Sequence, residues 1–287
     1  MMLGPVVGLD FSGVVTKISA NDNSHDFKVG DEVYGTTRGS LTSHCLVKAN
    51  SISRKPSSLS FTESAALPVA YLTGFQGLRD HGKLKTGMSV LILGASGGCG
   101  TAAIQLAKAF GAKTIVGVCS KKNLALVKSL GCTDTVDYKT EDFEKKFNLS
   151  SGFAGFDIVY DAASNSGAGE AYKNKAFSVL KPKTGQYVTL NGSGIMWTRC
   201  MIGWQESRVH LFITKGNTND YEALAKMVDK HRIKPVIASK APFSEVNVKK
   251  GFALLKSRRT VGKIVFEMPP IRTTPAPERS IPAVVFK

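Results

Sequence analysis

Long apolar runs, paired cysteines and acidic side chains are all scarce in this sequence. No apolar stretch approaches the roughly 18 residues of a membrane-spanning helix, so no spanning segment is expected. The five cysteines, at 45, 99, 119, 132 and 200, include no Cys-x-x-Cys pair. Such a dispersed, odd set argues against a disulfide framework, fits a reducing compartment and supplies no zinc-ligand cluster. Met1-Met2-Leu3-Gly4-Pro5 has neither a basic n-region nor an arginine-rich amphipathic stretch, so no secretory or transit signal is read there. Aspartate and glutamate number 22 against 38 lysines and arginines, a net charge of +16. That excess suits anionic partners. The bases are dispersed, often as pairs such as Lys249-Lys250 and Arg258-Arg259, without an arginine-rich block or an aromatic-interleaved stripe. Nucleic acid is therefore not an expected partner, and a weak peripheral attraction to an acidic membrane is better supported.

What is present is organised around glycine. Val90-Leu91-Ile92-Leu93 runs into Gly94-Ala95-Ser96-Gly97-Gly98-Cys99-Gly100 and then into Thr101-Ala102-Ala103-Ile104-Gln105-Leu106. Strand, glycine-dense turn and helix in that order form a cradle for a pyrophosphate, because glycines admit close backbone approach and the helix start presents N–H groups. Thr114-Ile115-Val116-Gly117-Val118 reads as the next strand and ends in Cys119-Ser120-Lys121-Lys122. A fold that prefers NAD carries Asp or Glu there, to accept from the adenosine ribose. A hydroxyl and two ammonium groups suit a 2′-phosphate instead, which points to NADPH. Two solvated lysines opening a helix is the plainer alternative, and the two readings are compatible.

The rest of the 287 residues, 43% of them hydrophobic, divides into two expected lobes. Short β-type runs broken by glycine, at 7–18, 31–34 and 43–47, suggest a compact antiparallel lobe. Residues 61–68 read as a helical connector and 69–78 as a second helix. Between Met88 and Thr214 strands and helices alternate, with later strands at 156–160, 186–190 and 209–213, the signature of a parallel sheet with crossover helices. Helices around 221–231 and 248–255 precede a strand at 263–267, and the periodicity is lost after Pro269, where a disordered tail is expected.

Several motifs resemble one family. Gly8-Leu9-Asp10-Phe11-Ser12-Gly13-Val14-Val15, Phe27-Lys28-Val29-Gly30-Asp31-Glu32-Val33-Tyr34-Gly35 and Ala65-Ala66-Leu67-Pro68-Val69-Ala70 are similar to segments of the zinc-free medium-chain dehydrogenase/reductases. So are the glycine turn, Val136-Asp137-Tyr138 and Arg259-Thr260-Val261-Gly262-Lys263-Ile264-Val265, and the motifs together reach from residue 8 to about 267. Met196-Trp197-Thr198 resembles the quinone oxidoreductase and 2-alkenal reductase branch, with its chloroplast-envelope and mitochondrial reticulon-interacting members. The zinc-dependent cousins carry His-Glu where Leu9-Asp10 stands and four cysteines where only Cys45 lies, so no metal site is expected; His44 reads as a strand residue.

The resemblance implies an α/β fold: a Rossmann-type doubly wound parallel sheet plus an incomplete GroES-like β-rich catalytic lobe. The expected boundaries are 1–68 for the first part of that lobe, 69–215 for the NADPH-binding domain, 216–268 for the return to the catalytic lobe and 269–287 for the tail. Relatives carry several dozen further residues ahead of the Gly8-Leu9-Asp10 motif, including an Asn-Pro turn that faces the nicotinamide, so the chain is expected to be N-terminally shortened. The family's cofactor contacts fall on Thr73, on Ser96, Gly97, Gly98 and Cys99 (valine is usual at the last), on Ser120 and Lys121, on Tyr138 and on Leu190. A self-bonded helix threonine and a buried strand tyrosine are the plainer alternatives for Thr73 and Tyr138. No catalytic acid is assigned, since Tyr71 reads as helix packing before it reads as a proton donor. The expected function is zinc-independent, NADPH-dependent hydride transfer to a small quinone or an α,β-unsaturated carbonyl. The alternative is a non-catalytic NADPH-binding or partner-binding protein at a membrane periphery. The location is expected to be cytoplasmic, or else a mitochondrial or plastid membrane periphery, and a homodimer is compatible with the family.

Overall fold

A computed structural model describes residues 7–19, 26–163, 169–204 and 206–269. Of the expected tail, residues 270–287 lie outside the described residues. Two compact units result: residues up to Leu72 together with those from Lys215 onward form one, and Thr73–Thr214 form the other.

The chain enters the first unit through β1 (Asp10–Val14), which pairs antiparallel with β2 (Glu32–Thr36), which in turn pairs antiparallel with β3 (Ile52–Arg54). Val15, Val33, Val47, Ala49 and Ile52 bury their side chains together as its core. The expected strand at 43–47 does not form. Val47 is buried in the core, but the Leu46 carbonyl is taken by the Thr37 hydroxyl at 2.9 Å, so its backbone is satisfied by a side chain rather than a ladder. His44 accordingly lies in a bend, where its Nδ1 is 3.3 Å from the Ser43 hydroxyl.

Helix α1 (Phe61–Ala65) opens on a capping box: the Ser60 hydroxyl accepts from the Glu63 N–H, and the Glu63 carboxylate accepts from the Ser60 N–H. Helix α2 (Pro68–Gln76) begins on a proline, whose missing N–H costs nothing at a first helical position. A single π turn, Gly77–His81, follows it.

From there the second unit is built by alternation: β4 (Ser89–Leu93), α3 (Gly98–Ala109), β5 (Thr114–Cys119), α4 (Leu124–Leu130), β6 (Asp134–Asp137), α5 (Phe143–Lys146), β7 (Ile158–Asp161), α6 (Gly169–Val179), β8 (Gln186–Thr189), α7 (Gly194–Met201) and β9 (Val209–Leu211). The strands form one parallel sheet in the order β6-β5-β4-β7-β8-β9. Successive strands are added first to one side of β4 and then to the other, so the direction of growth reverses between β4 and β7. That reversal is the crevice where a doubly wound sheet takes a ligand. Leu91, Leu93, Val116, Val118, Val136, Val159 and Tyr187 supply the buried strand faces against α6 residues Ala176 and Val179.

The chain then returns to the first unit through α8 (Thr218–His231), β10 (Ile237–Pro242), α9 (Glu245–Lys256) and β11 (Lys263–Glu267), with β10 and β11 paired parallel. Polar contacts fasten this return to the N-terminal segment. Asp229 accepts from the N–H and hydroxyl groups of both Ser57 and Ser58 at 2.6–3.1 Å. The Tyr34 hydroxyl donates to the Tyr221 carbonyl at 2.6 Å, and Lys263 Nζ meets Asp10 at 2.7 Å.

Candidate cofactor-binding site

Every expected site residue except Thr73 follows the C-terminal end of a parallel strand, and parallel strands place those ends along one edge of the sheet. Ser96, Gly97, Gly98 and Cys99 follow β4, Ser120 and Lys121 follow β5, Tyr138 follows β6 and Leu190 follows β8. Thr73 lies in α2 and is buried, and its hydroxyl is 2.6 Å from that of Thr214, which follows β9.

The glycine turn has the shape that close anion approach requires. Gly94 is left-handed at φ +70°, and a Cβ there would come within 2.9 Å of the Ala162–Ala163 backbone after β7. A Cβ at Gly100 would collide with the Gly94 carbonyl oxygen and fall 2.7 Å from the Ala95 Cα. Both glycines let the turn fold tightly against α3. Gly97 is the N-cap of α3 in extended conformation, and no side chain caps the helix. Its carbonyl accepts the first intrahelical bond, from the Thr101 N–H at 2.8 Å, so the N–H groups of Gly98 and Gly100 precede the helical ladder.

The end of β5 carries the second half. Ser120 is half-buried, and Lys121 and Lys122 are exposed in the 3₁₀ turn Lys121–Asn123. The nearest strand-end acid, Asp137 of β6, is buried and turned into its own loop, where it accepts from the Lys139 N–H at 3.1 Å and the Thr140 hydroxyl at 3.4 Å. Hydroxyls, ammonium groups and helix-start N–H groups form a donor set suited to phosphates. Tyr138 is 57% exposed, which removes the alternative of a buried strand tyrosine. Its backbone N–H donates to the Cys119 carbonyl at 3.2 Å. The Leu190 N–H is likewise tied to the neighbouring strand, donating to the Asp161 carbonyl at 3.1 Å.

Two features were not anticipated. Asn123 joins the two halves: its amide nitrogen donates to Ser96 Oγ at 2.9 Å and to Ser120 Oγ at 3.4 Å. In sequence it passes for an ordinary helix N-cap before α4, yet its side chain makes no capping bond. Asp161, at the end of β7, is buried and accepts from the Tyr187 hydroxyl at 2.7 Å and the Ala163 N–H at 3.0 Å. Burial raises its carboxyl above the usual range despite those two bonds, and it raises the Tyr187 phenol as well. Only the position of Asp161 at a strand end could have drawn attention to it. Tyr71 is buried within α2 and packs rather than presenting a phenol to solvent.

Metal-ligating residues do not assemble: among the described residues no group of three or more His, Cys, Asp or Glu side chains could hold an ion. The Asp10 carboxylate is engaged by Lys263 and by the Val69 N–H at 3.1 Å, while Leu9 is exposed. Nor is any helix among the described residues long and apolar enough to cross a membrane.

Comparison with known proteins places this geometry. Residues 130–266 match a zinc-binding dehydrogenase family model. The mitochondrial NAD(P)H oxidoreductase RTN4IP1 of Danio rerio is 32% identical, covering 91% of the chain and 71% of the relative. The chain belongs to the medium-chain dehydrogenase/reductase family. Within it, the 2-methylene-furan-3-one reductase of Solanum lycopersicum is 35% identical over 274 residues, or 92% of the chain. The chain spans 63% of that relative's length. The solved quinone oxidoreductase of Coxiella burnetii superimposes with a TM-score of 0.73 at 28% identity, covering 92% of this chain and 79% of its own. The α/β, Rossmann-type fold and the quinone and alkenal reductase character of the relatives agree with the resemblance drawn from the motifs.

Proposed function

We propose that the chain binds NADPH along the β4, β5 and β6 strand ends and takes part in zinc-independent reduction of quinones or α,β-unsaturated carbonyls. The observation that carries the cofactor choice is the end of β5. Ser120 and Lys121 stand where an NAD-preferring site needs a ribose-binding acid, and Asp137 is turned away into its own loop. The N–H groups at the start of α3 would hold the pyrophosphate, Ser120 and Lys121 the 2′-phosphate, and Tyr138 the adenosine end. Thr73 and Leu190 would border the nicotinamide half. The cofactor supplies hydride when bound, and the protein's task is to position it and exclude water. Support for the acceptor class comes from the relatives, one named for an exocyclic enone and another for quinones. Support for zinc independence comes from Leu9 and from the engaged Asp10.

Calorimetric titration tests the cofactor choice. NADPH should bind at least about tenfold more tightly than NADH, ~1.4 kcal/mol, and Lys121→Glu should weaken NADPH far more than NADH. Equal affinities would remove the reading. NADPH oxidation with a panel of quinones and enals tests the activity. Binding without turnover of any acceptor would replace the reductase by a non-catalytic NADPH-binding protein.

A further inference from the structure

Between the glycine turn and the end of β5 lies one amide that belongs to neither motif. Asn123 has the sequence position of an α4 N-cap, but its side chain makes no cap and reaches back to two serines. The donor is the amide nitrogen in both bonds, so Ser96 Oγ and Ser120 Oγ are both acceptors. A hydroxyl has a single proton to give. With an acceptor lone pair on each serine occupied by Asn123, each proton remains to be given away. Among the described residues no protein acceptor takes either one.

We propose that Asn123 sets the polarity of this site, holding Ser96 and Ser120 as hydrogen-bond donors to cofactor phosphates, and so acts as a positioning residue for NADPH over NADH. The inference rests on the NADPH reading above. The amide supplies no charge and need not touch the cofactor. Its two N–H groups orient two hydroxyls that would otherwise rotate freely. Ser120 belongs to the 2′-phosphate end, which only NADPH has, and Ser96 to the pyrophosphate turn, which both cofactors share. Loss of the amide therefore weakens both cofactors and weakens NADPH more. A carboxylate in the same place would reverse the polarity, because it accepts from both hydroxyls and consumes their protons.

The test is calorimetric titration of the full chain with NADPH, NADH and adenosine 2′,5′-bisphosphate, on wild type, Asn123→Leu and Asn123→Asp. The Asn123 side chain makes no capping bond, so neither substitution removes a cap from α4. Asn123→Asp should nonetheless weaken NADPH and the bisphosphate by about a hundredfold and lower the NADPH-over-NADH ratio at least about tenfold. Asn123→Leu carries no new charge and should lower that ratio about fivefold. In a Ser120→Ala background most of the Asn123→Leu effect on the ratio should vanish, because the two residues act through one bond. An unchanged ratio in Asn123→Asp overturns the inference, as does an equal loss of both cofactors, which would mark Asn123 as part of the turn alone. If wild type binds NADPH and NADH equally, the cofactor reading itself falls, a result that no Asn123 variant can mimic.

Discussion

The two units of this chain are held together by different means. Among the described residues Thr73–Thr214 buries 32 apolar side chains, many of them on strands of a sheet covered on both faces, whereas the other unit buries 17. In place of apolar area the smaller core has fasteners between distant parts of the sequence: Asp229 to Ser57 and Ser58, Tyr34 to Tyr221, Lys263 to Asp10, and Thr62 to Glu267 at 2.6 Å. Apolar burial is non-directional and tolerates adjustment, while a charge-assisted bond is lost outright when one partner goes. The first unit should therefore break at single polar residues and the second at positions where backbone meets backbone.

Gly100→Ala should give the largest effect. The added Cβ meets the Gly94 carbonyl and the Ala95 backbone, which cannot swing aside as a side chain would. Overpacking of this kind should cost about 3 kcal/mol in denaturant unfolding and abolish NADPH binding in titration. A variant with wild-type stability would show that the turn adjusts and that the contrast between the units is overstated.

Asp229→Ala comes next, at about 1–2 kcal/mol in the same unfolding measurement, since the carboxylate is part-exposed but accepts four bonds. Burial pushes this carboxyl up, but the bonds from Ser58 and Ser57 outweigh it, and its pKa lies below the usual value. Its contribution is thus complete above pH ~3.9, the unfolded value, and is lost as pH falls through the lower folded one. Asp229→Asn should flatten the acid limb of the stability profile; an unaltered limb would exonerate this fastener.

The smallest effect separates the units by pH. His81 stacks on Phe212 with ring centroids 4.2 Å apart and lies 5.6 Å from His210, whose Nε2 is 2.8 Å from Gln186 Oε1. Burial lowers both imidazoles; Asp80 opposes this at His81, while His81 and Lys83 reinforce it at His210. Neutral rings are favoured in the fold, so their contribution is full above pH ~6.5 and is lost as pH falls through that value toward the folded pKa. Amide protection along β9, corrected for the intrinsic exchange rate at each pH, should fall modestly between pH 7 and pH 5.5, before the Asp229 region responds. Simultaneous loosening of both regions would contradict this order.

What could be read from the sequence follows the same division. The sheet strands were legible because burial on both faces makes them continuous apolar runs, as in Val90–Leu93 and Thr114–Val118. Lys263–Glu267 was read to the residue. Its partner β10, Ile-Ala-Ser-Lys-Ala-Pro, escaped because alternate side chains are exposed and the strand ends on a proline. Residues 43–47 misled in the opposite sense, since a β-like composition served one buried valine and no ladder. At the site, glycines and strand ends were visible as motif, and the family followed from them. Asn123 was not, because a lone asparagine ahead of a helix has a commoner explanation. Only the direction of its side chain distinguishes an N-cap from a bridge between two loops.

The continuity of Thr73–Thr214 also bears on synthesis. A ribosome completes that unit with all its strands in hand, and it can fold as soon as Thr214 has emerged. The other unit is interrupted: β1, β2 and β3 are made before Thr73–Thr214 but must wait for α8, β10 and β11, with a sequence separation of 187 from Tyr34 to Tyr221 and of 253 from Asp10 to Lys263. Its strand edges and its smaller core stay unprotected while the whole of Thr73–Thr214 is being made, and closing such long loops is slow. Of the two units, the interrupted one is thus the more dependent on chaperones, although its strands hold none of the residues proposed to bind phosphate.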